Sequence, residues 1–203
     1  MSDGKTESAA EPLFEFDRKA RKAFLRYRHK PAVKALDTLG DIGDQPPLRM
    51  ISGGLLVLGL LRRDARMVRA GARMLLAHEL ATAAKNRVKH RIDRSRPRSA
   101  TGSDGHKPKP GNDRSKEETS FPSGHAAGSM AVASAFAAEY PEYRAAALAT
   151  SAAIGLSRIP TCAHYPSDIA AGWAIGAVAD AAVGLAWRGI LRLLAAPSAK
   201  DHR

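Results

Sequence analysis

The stretch Thr119-Ser-Phe-Pro-Ser-Gly-His-Ala126 decides how this chain is read. Pro122 stiffens the backbone, Gly124 frees it and Ser123 is a preferred N-cap, while Ala126 to Ala138 continues as an apolar run of small, helix-forming residues. The pattern predicts a sharp turn feeding a helix that carries His125 in its first turn. Helix N-termini present unpaired N–H groups and a partial positive charge, so this one is a natural seat for an anion such as phosphate. An ordinary capped helix with a solvated histidine has the same local pattern, and the flanking segments must separate the two.

Outward from that turn, helical patterns dominate. Leu48 to Leu61 is an apolar run stopped by Arg62, Arg63 and Asp64, and a second helix is expected from Ala65 to Val88. Arg62, Arg66, Arg69 and Arg73 recur on one side of it, with Met67, Gly71, Met74 and His78 on another. Ala145 to Ser157 and Ile169 to Trp187 are further apolar segments rich in Ala and Gly. Period-2 alternation is almost absent, so the predicted fold is all-α, a bundle of five to six helices. Upstream, Leu13 to Tyr27 resembles a basic amphipathic helix, suited either to an anionic bilayer surface or to packing on its own domain. Leu39-Gly-Asp-Ile-Gly-Asp-Gln-Pro-Pro47 reads as a turn, and Ser99 to Ser120 as a long mobile loop. The expected division is a basic segment 1–35, a helical domain 36–194 and a tail 195–203.

Composition narrows the partners. Lys and Arg number 32 against 20 Asp and Glu, and the net charge of +12 points to phosphate esters, an acidic membrane surface or nucleic acid. Aromatic residues at 5% leave few platforms for stacking bases, so no nucleic-acid partner is expected. The single Cys162 rules out an internal disulfide framework, and Asp168 stands where a thiol phosphatase would carry its arginine. Met1 to Pro12 lacks the apolar core of a secretory signal, which leaves a cytoplasmic protein or one inserted by internal apolar segments. A full span wants about 20 apolar residues, and Ile169 to Trp187 comes nearest, with Asp180 inside it. The small residues suit close helix packing in a bilayer, although a mean hydropathy of −0.28 is low for several crossings.

Two further clusters carry chemistry. In Lys89-His-Arg-Ile-Asp-Arg-Ser-Arg-Pro97, Lys89 offers a point charge and Arg96, held extended by Pro97, a planar fork for phosphate oxygens. The alternative is a basic helix terminus complementing the macrodipole. In Ser157-Arg-Ile-Pro-Thr-Cys-Ala-His-Tyr-Pro-Ser-Asp168, Arg158 closes one helix and His164 precedes the next, with His164 and Asp168 spaced for one helical face. His125, His164 and Asp168 are also conceivable metal ligands; the three neighbouring cations argue against a divalent ion, and no metal is expected. His78 and His90 read as packing or surface residues.

Lys-x6-Arg-Pro at 89–97, Pro-Ser-Gly-His at 122–125 and Ser-Arg-x5-His-x3-Asp at 157–168 resemble, in order and at every signature position, the three motifs of the type-2 phosphatidic acid phosphatase and vanadium haloperoxidase superfamily. The resemblance runs from residue 36 to 190 and points to the membrane lipid phosphatase branch. It implies that Lys89, Arg96 and Arg158 bind the phosphoryl oxygens, with Ser123 and the Gly124 N–H completing the cradle. His164 would be the nucleophile, Asp168 would accept a hydrogen bond from its other ring nitrogen, and His125 would protonate the leaving alcohol. Fixed cations and N–H groups can take a metal's place around a phosphoryl group in transfer, so no cofactor is expected. The implied function is a metal-independent phosphatase acting through a phosphohistidine on a lipid phosphate or diphosphate of the phosphatidate, phosphatidylglycerol phosphate or polyprenyl diphosphate type. A vanadate-dependent haloperoxidase would share the cradle, and charge alone also allows a non-enzymatic basic membrane- or nucleic-acid-binding protein. A multi-pass cell-membrane location follows from the resemblance. The basic N-terminal segment and loop favour a cytoplasmic active site, while the resemblance favours the outer side for many bacterial members.

Overall fold

The computed structural model describes residues 3–101 and 107–195. Residues 196–203 of the expected tail and 102–106 of the long loop lie outside the described residues. Among the described residues seven helices follow one another: α1 (Asp3–Phe24), α2 (Pro31–Gly40), α3 (Gln45–Arg62), α4 (Ala65–Lys89), α5 (Gly124–Glu139), α6 (Arg144–Ser157) and α7 (Pro166–Ala195). Two-residue strands, β1 (Ile92–Asp93) and β2 (Lys109–Pro110), pair antiparallel. The all-α class is as expected, with more helices than the five to six read from the sequence. The additional helix is α2, and α3 begins ahead of its apolar run so as to take in Pro46 and Pro47. They fall in the first turn of α3, where a missing N–H breaks no hydrogen bond, so the Pro-Pro pair opens a helix instead of marking a turn. A 3-10 turn, Asp41–Gly43, bridges α2 to α3.

The α3–α4 hairpin turns on Arg63, in the left-handed region at φ 55°, and on Asp64, whose side chain accepts from the N–H groups of Arg66 at 2.8 Å and Met67 at 3.1 Å. Helices α4, α5 and α7 pack at the centre. Met74, Ala77 and Ala81 of α4 meet Ala131, Val132 and Ala135 of α5, Ala179 of α7 and Leu48 of α3. Glycines set the closest approach: a Cβ at Gly172 would lie 2.6 Å from the Ser123 carbonyl oxygen, and one at Gly176 would lie 2.8 Å from the Ala131 nitrogen. Helix α7 therefore rests directly on the first turns of α5. The two-sided character of α4 is realised, with Gly71, Met74 and His78 buried and the arginine side paired across to other helices. Arg66 reaches Glu142 at 2.7 Å, Arg69 reaches Glu139 at 3.1 Å and Arg73 reaches Asp180 at 2.7 Å. The last pair supplies the partner that a carboxylate in the middle of an apolar helix requires.

Large apolar side chains are exposed along α3, at Met50, Leu60 and Leu61, and along α7, at Val178 and Leu185. Among the described residues, Pro166–Ile190 is the one helical stretch long and apolar enough to cross a membrane. Helix α1 begins well before Leu13 and packs on its own domain, with Asp17 fully buried against Arg94 and Ser167.

The described part of 99–120 departs from a free loop. Glu118 accepts from the Arg94 N–H at 2.7 Å, Glu117 from the Arg96 N–H at 2.7 Å, and the Arg94 carbonyl from the Ser120 N–H at 3.0 Å. Arg98 adds an ion pair to Glu117 at 2.8 Å. The polar composition that suggested mobility supplies these ties, and the segment is bound along the chain that carries Arg96.

Candidate active site

The three motifs converge at one end of the bundle. The last turn of α4 delivers Lys89, the tied segment holds Arg96, Ser123 caps α5, and the α6–α7 connection brings Arg158 and His164. They enclose a cavity of about 320 Å³ lined by Lys85, Lys89, Arg96, Gly124, His125, Arg158 and His164, with Asp37, Asp41 and Asp44 along its rim. Ser123 and Asp168 stand just behind this wall. The Ser123 side chain is spent as the cap, accepting from Ala126 N at 3.4 Å, and its own N–H donates to the Asp168 carbonyl at 3.0 Å. The Phe121–Pro122 peptide entering the turn is cis.

His164 is buried, and its Nδ1 lies 2.8 Å from the Ser120 carbonyl oxygen. A carbonyl only accepts, so Nδ1 carries the proton and the Nε2 lone pair is left for the cavity. The hydrogen bond expected from His164 to Asp168 is not made, since the nearest atoms are 3.6 Å apart. The family resemblance implied that bond, but His164 precedes α7, so the four-residue spacing to Asp168 does not bring the two side chains into register as it would within a helix. Asp168 Oδ2 instead accepts from Ser120 Oγ at 2.5 Å and Tyr165 N at 2.8 Å, and Oδ1 accepts from Arg94 at 2.5 Å. Asp168 thus acts on His164 as a close negative charge, and Ser120 fixes the tautomer.

Across the cavity, the rings of His125 and His164 have centroids 6.4 Å apart at 62°. That gap fits a tetrahedral group whose centre approaches one imidazole while a substituent approaches the other. The Nε2 atom of His125 is buried without a hydrogen-bond partner among the described residues, and lies 3.0 Å from Asp44 Oδ1, out of line for a hydrogen bond.

The cations are held by carbonyls and rim carboxylates. Lys89 Nζ donates to the Thr119 carbonyl, and Arg96 donates to the Lys116 carbonyl at 2.6 Å and the Ala163 carbonyl at 3.1 Å. Arg158 pairs with Asp37 at 2.6 Å and Asp41 at 3.2 Å. Its guanidinium lies flat against α2, where a Cβ at Gly40 would fall 2.5 Å from Cζ, so only glycine admits it. Burial, reinforced by the crowding of positive charge, lowers the pKa values of the bases in the cavity. Burial, then Arg96 and Lys85, bring Lys89 down to about 7. Burial, then Arg158, His164, Arg96 and Lys89, bring His125 down to about 3. Burial brings His164 down to about 4 against the opposing pull of Asp168, so both imidazoles are neutral in the empty site near pH 7. An incoming dianion offsets the charges that depress His125 and Lys89 and favours their protonated forms.

Sequence reasoning overlooked several participants. Lys85 is buried in the same wall, donates to Asn86 Oδ1 at 2.6 Å, and lies so close to Gly124 that a Cβ there would meet its Cε at 3.2 Å. Its signal was available: it stands four residues before Lys89 on one helix face. Arg94, in full view beside Arg96, turns its guanidinium away to Asp168 and Asp17. Of the three rim aspartates, Asp41 and Asp44 come from a segment read only as a turn, and Asp37 from α2 just before it. Ligand atoms of Asp41, Asp44 and His125 lie within 4.8 Å of one another, but both carboxylates are exposed, Asp41 is engaged by Arg158, and Lys85 and Lys89 share the cavity. A site from His125, His164 and Asp168 is not assembled, because both Asp168 oxygens are taken.

Two imidazoles face a ring of fixed cations at one end of a helical bundle, an arrangement suited to a tetrahedral oxyanion. Residues 70–189 match the model of the PAP2 superfamily, and the chain belongs to that superfamily. It is 48% identical over 58 residues to a lipid A 1-phosphatase of Rhizobium johnstonii, covering 29% of this chain and 24% of that protein. A lipid A 1-phosphatase of Rhizobium etli is 47% identical over 57 residues, covering 28% and 25%. The matched segment thus spans about a quarter of the length of these curated relatives. The crystal structure of Aquifex aeolicus LpxE superposes with a TM-score of 0.60 at 19% identity, over 82% of this chain and 93% of that one. The transmembrane PAP2-type phosphatidylglycerolphosphate phosphatase of Bacillus subtilis gives 0.55 at 19% identity, over 93% and 89%. At that identity both establish likeness of fold.

Proposed function

We propose that this protein is a membrane phosphatase that hydrolyses a lipid phosphate without a metal ion, through a phosphohistidine on His164. One observation carries the lipid assignment: the cationic cavity shares a wall with an apolar groove on its His125 side. The 3-10 turn Asp41–Gly43 forms that wall. Asp41 and Gly43 line the cavity, while Ile42 lines a groove of about 530 Å³ with Leu48, Ile51, Leu55, Val132, Phe136 and Ile154. Gly43 is packed between the two, its absent Cβ lying 3.3 Å from His125 Cδ2 and against Ile154. In an in-line displacement the leaving group departs away from the nucleophile, on the side of the acid. Here that side adjoins, across the Asp41–Gly43 turn, a surface suited to hydrocarbon, where each buried methylene contributes about 0.8 kcal/mol.

The chemistry follows from the side chains. The neutral Nε2 of His164 attacks phosphorus as the ester P–O bond breaks, and His125, protonated once the dianion is bound, gives its proton to the departing alkoxide. The imidazolium formed keeps its Nδ1–H on the Ser120 carbonyl, near the charge of Asp168. Water then attacks the phosphohistidine, His125 takes a proton from it, and inorganic phosphate leaves. Lys89, Arg96, Arg158 and the Gly124 N–H stabilise the equatorial oxygens throughout. The exposed apolar faces of α3 and α7 are assigned to the bilayer, with Lys89, His125 and His164 at or beyond the ends of the apolar stretches. The local likeness to lipid A 1-phosphatases supports a bulky amphipathic phosphomonoester among the lipid classes considered.

The test is phosphate release from lipid A, phosphatidate, phosphatidylglycerol phosphate and a polyprenyl diphosphate, in detergent with EDTA. Release from at least one, abolished in His164→Ala, is expected. Hydrolysis of soluble phosphate esters only, or a requirement for added metal, would overturn the assignment.

A further inference from the structure

Helix α1 lies outside the stretch that matches the family model, yet it inserts a carboxylate behind the candidate nucleophile. Asp17 is fully buried, directly ahead of the basic run Arg18-Lys-Ala-Arg-Lys22. Its Oδ2 accepts from Arg94 at 2.7 Å and from Ser167 Oγ at 2.5 Å, and its Oδ1 accepts from the Ser167 N–H at 3.1 Å. The same guanidinium donates to Asp168 Oδ1 at 2.5 Å and to Ser167 Oγ at 2.7 Å. Arg94 therefore bridges a carboxylate of α1 and a carboxylate of α7. Phe14 of α1 and Tyr165 place their rings 5.9 Å and 4.2 Å from the guanidinium carbon. A second grip lies along the helix: Arg21 donates to the carbonyls of Pro97 and Ala100, both at 2.7 Å, just after Arg96.

We infer that Asp17 is a positioning residue for phosphoryl transfer, and that α1 is a working part of the site: by sharing Arg94 with Asp168, it fixes the α7 entry turn and preserves negative charge beside His164. The inference rests on the proposed role of His164. Two effects combine. Asp17 and Asp168 together carry two negative charges against one on Arg94, so Asp17 takes up part of the guanidinium's pull and leaves Asp168 more effective toward the imidazolium that forms 3.6 Å away. Asp17 also satisfies the Ser167 N–H and hydroxyl at the start of α7, the turn that orients Tyr165 N on Asp168 and follows directly on His164. None of these atoms lines the phosphate cavity, so substrate affinity should hardly change.

The experiment is steady-state kinetics of the full-length protein in detergent, with the best lipid phosphate from the panel. Asp17→Asn should lower kcat about 10- to 100-fold, the scale of a misplacement of about 1 Å, with KM within twofold of wild type. Asp17→Glu should recover part of that loss, and Ser167→Ala, which removes one tie and no charge, should show a smaller drop of the same kind. Arg18→Gln, altering an exposed ion pair with Glu15 on the same helix, should match wild type. Should Asp17→Asn fail to yield folded protein, Asp17→Glu and Ser167→Ala carry the test alone. Wild-type kcat in these variants, or KM rising in step with the loss of kcat, overturns the role of Asp17 while leaving the phosphatase assignment standing. A wild-type protein that releases no phosphate overturns both.

Discussion

Anion binding should titrate with a break near pH 7 that belongs to Lys89. In the empty cavity, burial first and then Arg96 and Lys85 hold this ammonium at about 7, whereas a bound dianion would stabilise its charged form. The sign follows from proton counting. Below pH 7 Lys89 is protonated with and without ligand, and it adds no slope to the affinity. Above pH 7 the free site has lost the proton, binding must restore it, and Lys89 alone lowers affinity a further tenfold or so, about 1.4 kcal/mol, for each pH unit until its bound-state pKa is reached. Tungstate is a suitable probe because it remains a dianion from pH 7 to 9, so the ligand contributes no titration of its own. Calorimetry in buffers of different ionisation enthalpy measures both the dissociation constant and the proton uptake. Wild type should show the break together with uptake of up to one further proton above it, in addition to any taken up at His125, and Lys89→Met should bind more weakly with that break removed. A smooth profile in wild type, or the same break in Lys89→Met, would refute the electrostatic description of the cavity.

Other consequences are open to direct measurement. His164→Ala should reduce phosphate release by at least about 10³-fold while the helical circular dichroism and melting profile persist; near-normal turnover would remove His164 from the chemistry. Gly40→Ala should cost little stability, because the atoms it meets belong to the ends of the Arg158 and Ser157 side chains, yet lower kcat/KM about 10- to 100-fold by displacing the guanidinium; unchanged kinetics would show that Arg158 tolerates the shift. Arg73→Met should destabilise the bundle by about 3 kcal/mol by stranding Asp180, and Arg73→Met with Asp180→Leu should recover most of it in a denaturation series; equal loss in both would point to packing instead of charge.

The elements that were legible in the sequence were those with a local cause. The cap at Ser123, the helix after it and the run through Lys89 follow from propensity and spacing over a few residues. The convergence of Lys89, His125 and His164 came from the ordered motifs, since no pattern within any one segment encodes contact with another. What stayed hidden depends on long-range pairing. Asp17 looked like one acid in a basic amphipathic helix, and nothing near it announces Arg94 as a partner. The turn at 39–47 misled because Pro-Pro fits a helix start as well as a break, and the choice rests on tertiary packing. Asp168 was matched to His164 by the family resemblance, and the direct bond fails because α7 starts only at Pro166 and the carboxylate is occupied by Ser120, Tyr165 and Arg94. The segment 99–120 appeared free because its hydrogen bonds run to chain that precedes it.

The glycines of α7 bear on the two histidines. His125 rides the first turn of α5 and His164 is the second residue before α7, so the distance between their rings follows the clearance between those two helices. Gly172 and Gly176 set that clearance at backbone contact. A calliper whose jaws carry the two imidazoles is thus closed by the absence of two methyl groups, and its gauge is kept by a helix whose other flank is exposed and apolar.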